Sequence, residues 1–228
     1  MRRLFRRFFS AIVSFLDFFA FFGGFSGTKN NAPFIIKTFD DLDGIIDGSL
    51  YWNLSDIYEE QGFHYIPYHG GYGMFNINDI PKSSYNAFVL LNKLKGYKVE
   101  TEISDADISC GAMTAYDKES GILSVLMYNY IEPDMDKKDY EDVEIKISGI
   151  KSESVCKRTF SICDEGGSSY EWWQKLGKPD FVNKKILCTL EEKSKIPETS
   201  EMITAENGEY VIKTKLGKGD AELIQLHI

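Results

Sequence analysis

The sequence predicts a mostly antiparallel β-sandwich over residues 98–228, preceded by a helix and a strand–loop–helix unit over residues 32–97. Three observations carry this reading. The run ILSVLMYNY at 122–130 is near-continuously apolar, which suits a central strand buried on both faces. The run VEIKISGI at 143–150 alternates, so Val143, Ile145 and Ile147 share one inward face. Gly-rich turns and few helical stretches separate such runs, the pattern of stacked sheets.

Residues 1–31 form an unusual leader. Nine of the sixteen Phe fall there, after a basic start of Arg2, Arg3, Arg6 and Arg7. The order resembles a signal peptide or anchor, but the apolar run at 8–22 is short of the roughly 20 residues a spanning helix needs, and Asp17 interrupts it. Three readings stay open: an interfacial or signal-like helix, a non-native leader joined to a truncated gene, and an ordinary core helix.

In the second segment FIIKTFDDLDGII places Ile35, Phe39 and Leu42 at helical spacing, with Gly44 as a stop. GSLYWNLSD, residues 48–56, reads as a short buried strand. A polar, aromatic-rich loop follows and Pro81 closes it. Ser83 or Ser84 is positioned to cap the next helix, in which Tyr85, Phe88, Leu91 and Leu94 form the apolar stripe and Gly96 the end.

In the third segment Asn207-Gly208 signals a turn, and YVIKTKL and AELIQLHI are expected to pair across residues 217–219. Residues 168–195 read as a more helical insert. Its Trp172 and Trp173 admit a carbohydrate-platform reading, but buried aromatics pinning the insert in place is the plainer one. Tyr128 and Tyr130 share one strand face and are expected to pack. The acidic run at 134–142 lacks the Gly and spacing of an EF-hand loop and reads as a solvated turn.

Composition narrows the function. The 228 residues are 43% hydrophobic and 14% aromatic, enough for one or two cores and too much for a disordered chain. Residues 1–26 hold four Arg and one Asp, a balance of +3, so the other 202 carry −12 of the net −9. So acidic a body is a poor partner for phosphate backbones, and nucleic-acid binding is set aside. Cys110, Cys156, Cys163 and Cys188 show no C-x-x-C pair and only three His occur. Zinc-ligand spacing is absent, no metal or other cofactor is expected, and the thiols read as free, buried small hydrophobes.

The chemistry concentrates after the 48–56 stretch. Trp52, Asp56, Tyr58, Glu59, Glu60, His64, Tyr65, Tyr68 and His69 fall within eighteen residues. Aromatic rings that stack on the C–H face of a pyranose, beside carboxylates that accept its hydroxyl protons, are what a sugar site needs. Packed aromatic filler is the alternative, with Glu59-Glu60 a solvated acidic pair.

YWNLSDIYEEQGF at 51–63 and PYHGGYGMFNINDIPKSSYNAFVLLNKL at 67–94 resemble the end of the catalytic barrel in glycoside hydrolase family 39, the β-xylosidase family. There the pattern runs YW-[ST]-F-SD-[IV]-F-EE, then FHGGFGL, then G-I-PKPSY-x-AF-x-LLN-x-L. The likeness continues loosely through Tyr128 to Tyr130 and through residues 173–179.

The resemblance implies an α/β barrel remnant, the last βα unit of a (β/α)8 barrel, followed by a mostly antiparallel β-sandwich. It divides the chain into 1–31, 32–97 and 98–228. It also implies retaining hydrolysis of β-xylosides by two Glu about 5–5.5 Å apart, which in the family end the fourth and seventh barrel strands. The 48–56 stretch corresponds to the eighth. A full barrel takes about 250 residues, whereas 51 precede Trp52 and no Glu precedes Glu59. No catalytic residue is therefore assigned, and no independent turnover is expected.

By the same resemblance Trp52 floors the sugar subsite, with a cis peptide bond expected after it although Asn53 replaces the usual Ser or Thr. Glu60 hydrogen-bonds sugar hydroxyls, with Glu59 its neighbour. His69, Gly70 and Gly71 form a structural HGG turn, and Ser83 replaces a common Pro. The expected partner is a β-xyloside or related saccharide once the barrel is complete. The alternative function is a non-catalytic carbohydrate-binding or interaction sandwich. A cytoplasmic location is expected, or a secreted or membrane-associated one if residues 1–31 are a genuine leader. Self-association is left open.

Overall fold

The computed structural model describes residues 27–57, 64–104, 109–132 and 139–228. Residues 1–26 of the 1–31 leader and residues 134–138 of the 134–142 solvated turn lie outside them; Tyr140, Glu141 and Asp142 of that run open the strand Tyr140–Ser148 instead of a turn.

The elements are α1 (Asn31–Leu42), α2 (Ser83–Leu91), β1 (Tyr97–Lys98), β2 (Cys110–Asp117), β3 (Ile122–Asn129), β4 (Tyr140–Ser148), β5 (Ser154–Ile162), α3 (Tyr170–Lys175), α4 (Lys184–Ser194), β6 (Glu198–Thr204), β7 (Glu209–Gly217) and β8 (Ala221–His227). Six strands form one sheet in the order β1-β2-β3-β8-β5-β6, and β4 pairs with β7 in a second. Every named strand pair is antiparallel.

The apolar run at 122–130 becomes β3, with β2 and β8 on either side. Its side chains alternate between two cores. Leu123, Val125 and Met127 meet Tyr210, Ile212 and Leu216 of β7, with Val143, Ile145 and Ile147 of β4 packed against them. Leu126, Tyr128 and Tyr130 face the other way, onto Ala32, Ile35 and Ile36 of α1 and Ala87 and Leu90 of α2. The large sheet is thus one layer of a β-sandwich and also the floor on which two helices lie. Each fully buried Leu or Ile adds roughly 1.5–3 kcal/mol over its exposed state.

One strand pairing differs from expectation. The Asn207-Gly208 turn forms, both residues at positive φ, but β7 and β8 do not pair with each other. At residues 217–220 the chain steps between sheets, with Gly217 N donating to Asp220 Oδ2 at 3.0 Å and Asp220 N to Gly217 O at 3.1 Å. The side chains explain the split. β8 is buried on both faces and belongs in the middle of the covered sheet, whereas β7 alternates and suits a layer with one wet face.

Helix α1 follows the sequence, ending before Gly44 at φ +68°. Helix α2 does not bury the expected stripe. Its buried residues are Ser83, Ser84, Asn86, Ala87 and Leu90, while Phe88, Leu91 and Leu94 are half-buried and Tyr85 is exposed. The polar residues bury because the helix lies against backbone that needs donors. Asn86 Nδ2 donates to Gly167 O at 2.9 Å and Ser194 O at 2.7 Å. Neither serine caps the helix: Lys82 occupies the cap position, and Ser83 Oγ donates instead to Thr28 O at 2.5 Å.

The first described residues are tied into this body. Lys29 Nζ reaches Asp164 Oδ1 at 2.6 Å and Asp220 Oδ1 at 2.8 Å. Burial opposes its charge, but the two carboxylates outweigh burial and hold the ammonium above its ordinary pKa. Asn30 exchanges two hydrogen bonds with the Ile131 backbone.

The 48–56 stretch is not the short buried strand expected. It is extended but irregular, with one parallel bridge from Ser55 to Phe75, and Leu50 is 95% exposed. Tyr51, Asn53 and Ser55 are half-buried while Leu50, Trp52 and Leu54 face out, so alternation survives where pairing does not. The thiols also differ from expectation. All four are free, but three are half-buried and Cys188 is exposed on α4. Among the described residues no helix is long and apolar enough to cross a membrane.

Candidate functional site

The site is built from the extended stretch at 51–57 and the turn at 67–82. Three backbone hydrogen bonds join them: Met74 N to Asn53 O, Phe75 N to Leu54 O and Asp56 N to Phe75 O, each at 3.0 Å. Within the turn Asn76 Oδ1 accepts from Asn78 N at 2.9 Å and Ile80 N at 3.0 Å. This Asx-type closure lets Asp79 sit at φ +62°.

Beneath the stretch lies a buried ion pair. Asp56 Oδ2 is 2.5 Å from Lys82 Nζ, with both side chains almost wholly buried. The remaining valences are used locally: Gly73 N donates to Asp56 Oδ1 at 2.7 Å and Lys82 Nζ donates to Gly71 O at 2.9 Å. The pair therefore fastens the glycine turn to the Trp52 stretch. Gly73 is obligatory, since a Cβ there would overlap Asp56 N, Ser55 C and Asp56 Oδ1. His69 Nε2 lies 4.0 Å from Asp56 Oδ2, and its ring stacks on His64 at 4.3 Å with 15° between planes.

Trp52 stands above this clamp, 58% exposed, and its peptide bond to Asn53 is cis. Glu59 and Glu60, the two other expected sugar contacts, lie outside the described residues, as does Tyr58. The remaining aromatics separate. Tyr68 turns inward: its hydroxyl bonds to Ser169 Oγ, and its ring packs on Tyr170 and Trp173 at 5.6 and 5.4 Å. Burial raises the Tyr68 phenol pKa. Tyr65 is exposed. Tyr51, packed on Phe88 at 5.7 Å, is pushed up to about 12 by burial.

Sequence reasoning missed Lys82. A buried cation looks like any surface lysine in sequence, and the one available signal was Asp56 among aromatic residues with no other charge to meet. Among the described residues no group of three or more His, Cys, Asp or Glu is placed to hold a metal ion.

Comparison with known proteins places this geometry. The family model for glycosyl hydrolases family 39 matches residues 19–210. This chain belongs to glycosyl hydrolase family 39. It is 30% identical to a β-xylosidase of Caldicellulosiruptor saccharolyticus over 169 residues, 73% of this chain and 33% of that protein. It is 25% identical to a β-xylosidase of Geobacillus stearothermophilus over 201 residues, 87% of this chain and 37% of that one. The chain thus spans about a third of these relatives. The fold is shared with a family 39 enzyme from Xanthomonas axonopodis pv. citri (TM-score 0.76, 18% identity, 89% of this chain and 41% of that one). It is likewise shared with a monomeric β-xylosidase from Caulobacter crescentus CB15 (TM-score 0.75, 22% identity, 89% and 42%).

In this family 39 fragment the tryptophans of the insert do not form a second platform. Trp173 is buried against Tyr68, Ile80 and Leu190, and its indole N–H donates to Pro179 O at 3.0 Å. Trp172 donates to Asp164 O at 3.0 Å, with Lys193 Nζ 4.1 Å and Lys175 Nζ 4.6 Å from its ring centroid. Ammonium groups hold its π system where a sugar would stack.

Proposed function

We propose that this chain is the C-terminal part of a retaining β-xylosidase-like hydrolase, with residues 32–97 the last βα unit of a (β/α)8 barrel and 98–228 an accessory sandwich. Trp52 floors the sugar subsite, its indole stacking on the C–H face of a β-xyloside or related saccharide. Glu60, with Glu59 beside it, accepts hydrogen bonds from the sugar's hydroxyls. The Lys82–Asp56 pair and Gly73 hold the stretch that carries Trp52 at a set height. The nucleophile and the acid/base lie outside these 228 residues, which by themselves have no turnover. One observation carries this reading: the family match runs through Trp52 in a chain with no Glu ahead of Glu59. The proposed location is cytoplasmic.

Two measurements test it. The purified chain releases no chromophore from a chromogenic β-xyloside above a matched blank; turnover would overturn the assignment of the carboxylates elsewhere. Residues 32–228, grafted in place of the matched stretch of the Caldicellulosiruptor saccharolyticus β-xylosidase, support xyloside hydrolysis. In that chimera Trp52→Ala lowers kcat/KM by about tenfold or more. An unchanged kcat/KM would remove Trp52 from the subsite.

A further inference from the structure

The stretch that carries Trp52 has little regular pairing of its own. It forms one parallel bridge, from Ser55 to Phe75, and takes its place from the turn at 67–82. On its far side that turn is anchored by Tyr68. The side chain is 6% exposed, and its hydroxyl bonds to that of Ser169, 1% exposed, in the helical insert. The ring packs on Tyr170 and Trp173, with Ile80 and Leu190 in the same cluster. A few residues after Tyr68 the turn grips the Trp52 stretch. Gly71 O accepts from Lys82 Nζ, the partner of Asp56, and Gly73 N donates to Asp56 Oδ1. One short turn thus meets the insert at one end and the Trp52 stretch at the other.

The insert is a fixed base for this contact. Asn86 of α2 donates to Gly167 O and Ser194 O, which ties down both of its ends. Gly167 N donates to Lys195 O at 2.8 Å, and Ser168 Oγ to Glu171 Oε2 at 2.6 Å. The apolar cluster around Tyr68 coheres without any hydroxyl. Replacing both partners of a buried hydrogen bond by apolar groups of the same shape is nearly neutral for stability. The Tyr68–Ser169 bond therefore contributes direction more than strength, since a bare ring can slide where a bonded phenol has one seat.

We infer that Tyr68 and Ser169 are positioning residues for the sugar subsite, through which the insert fixes the height of Trp52. Both act through Trp52 rather than on the sugar. The inference rests on the proposed β-xyloside reading for the task of Trp52, and on geometry alone for the task of Tyr68. Side chains of this supporting kind decide whether a site is held to within about 0.5 Å.

The double variant Tyr68→Phe/Ser169→Ala of the 228-residue chain tests it. Its thermal midpoint stays within about 2 °C of the parent. The amides of Asp56, Met74 and Phe75, which bond the stretch to the turn, exchange with deuterium about tenfold faster by NMR, while those of β3 keep the parent rate. Unchanged exchange at those three amides overturns the inference. Equal acceleration in β3 overturns it too, because the bond would then stabilise the whole fold. In the chimera that carries residues 32–228, the same double substitution raises KM by about fivefold with kcat within about twofold. That split is expected when a platform shared by ground and transition states moves. An unchanged KM, or a loss in kcat alone, overturns the inference. A Trp52→Ala chimera with the parent kcat/KM overturns the subsite reading instead and leaves the exchange result untouched, so the two failures are told apart.

Discussion

Lys82 Nζ lies 2.5 Å from Asp56 Oδ2 with both side chains nearly withdrawn from solvent, and this pair joins the two segments on which Trp52 rests. A buried pair of this kind contributes little over an apolar replacement of both partners, but removing one partner strands the other charge. Lys82→Met should therefore lower unfolding stability by about 3–5 kcal/mol, and adding Asp56→Asn should restore a large part of it. Urea unfolding of the two variants and the parent, followed by tryptophan fluorescence, checks the pair. A double variant as unstable as Lys82→Met would show that the ion pair is not what ties the segments.

Gly73 should tolerate no side chain. Its absent Cβ leaves room for the Ser55–Asp56 backbone, and overpacking at such a contact costs about 1–3 kcal/mol or more. Gly73→Ala should lower the thermal midpoint measurably. Gly48→Ala, with nothing within 4 Å of its added methyl, should not.

The carboxyl of Glu222 sets a slope of stability with pH. Burial pushes it above its ordinary 4.5, against hydrogen bonds from Thr214 Oγ1 at 2.9 Å and Ser161 Oγ at 3.1 Å. The folded chain thus binds this proton more tightly than the unfolded chain. Its contribution is complete below 4.5 and is lost as pH rises through the raised folded value. Glu222→Gln should match the parent in melting temperature near pH 4 and exceed it at pH 7. Equal melting temperatures at both would refute the burial argument.

The four thiols should react in a set order. Cys188 is exposed on α4, whereas Cys163 is pushed up to about 12, first by burial and then by the neighbouring Glu165 carboxylate. The thiolate is the reacting form. Maleimide at pH 8 should label Cys188 first and Cys163 last, read by peptide mass spectrometry, and early labelling of Cys163 would contradict its placement.

Much of the architecture was legible because it is local. Alternation in VEIKISGI marked the inward face of β4, the unbroken apolar run at 122–130 marked β3, and Gly44 marked the end of α1. The cis bond after Trp52 followed from the family resemblance. The buried face of α2 was not legible, because Asn86 and Ser83 bury to satisfy backbone groups of distant segments. Nor was Lys82, whose burial depends on an aspartate twenty-six residues earlier.

The sequence by itself marked the strands at 122–129, 143–148, 210–216 and 221–227, the end of α1, and which family the site resembles, since periodicity and turn chemistry act over a few neighbours. The tertiary structure alone decided that β7 and β8, adjacent in the chain, belong to different sheets. It also decided that a lysine and an aspartate share one buried pocket, and that Leu50, Trp52 and Leu54 face solvent. The physical reason is that partner choice is settled by burying apolar area and satisfying polar groups across the whole chain, a balance no local window contains.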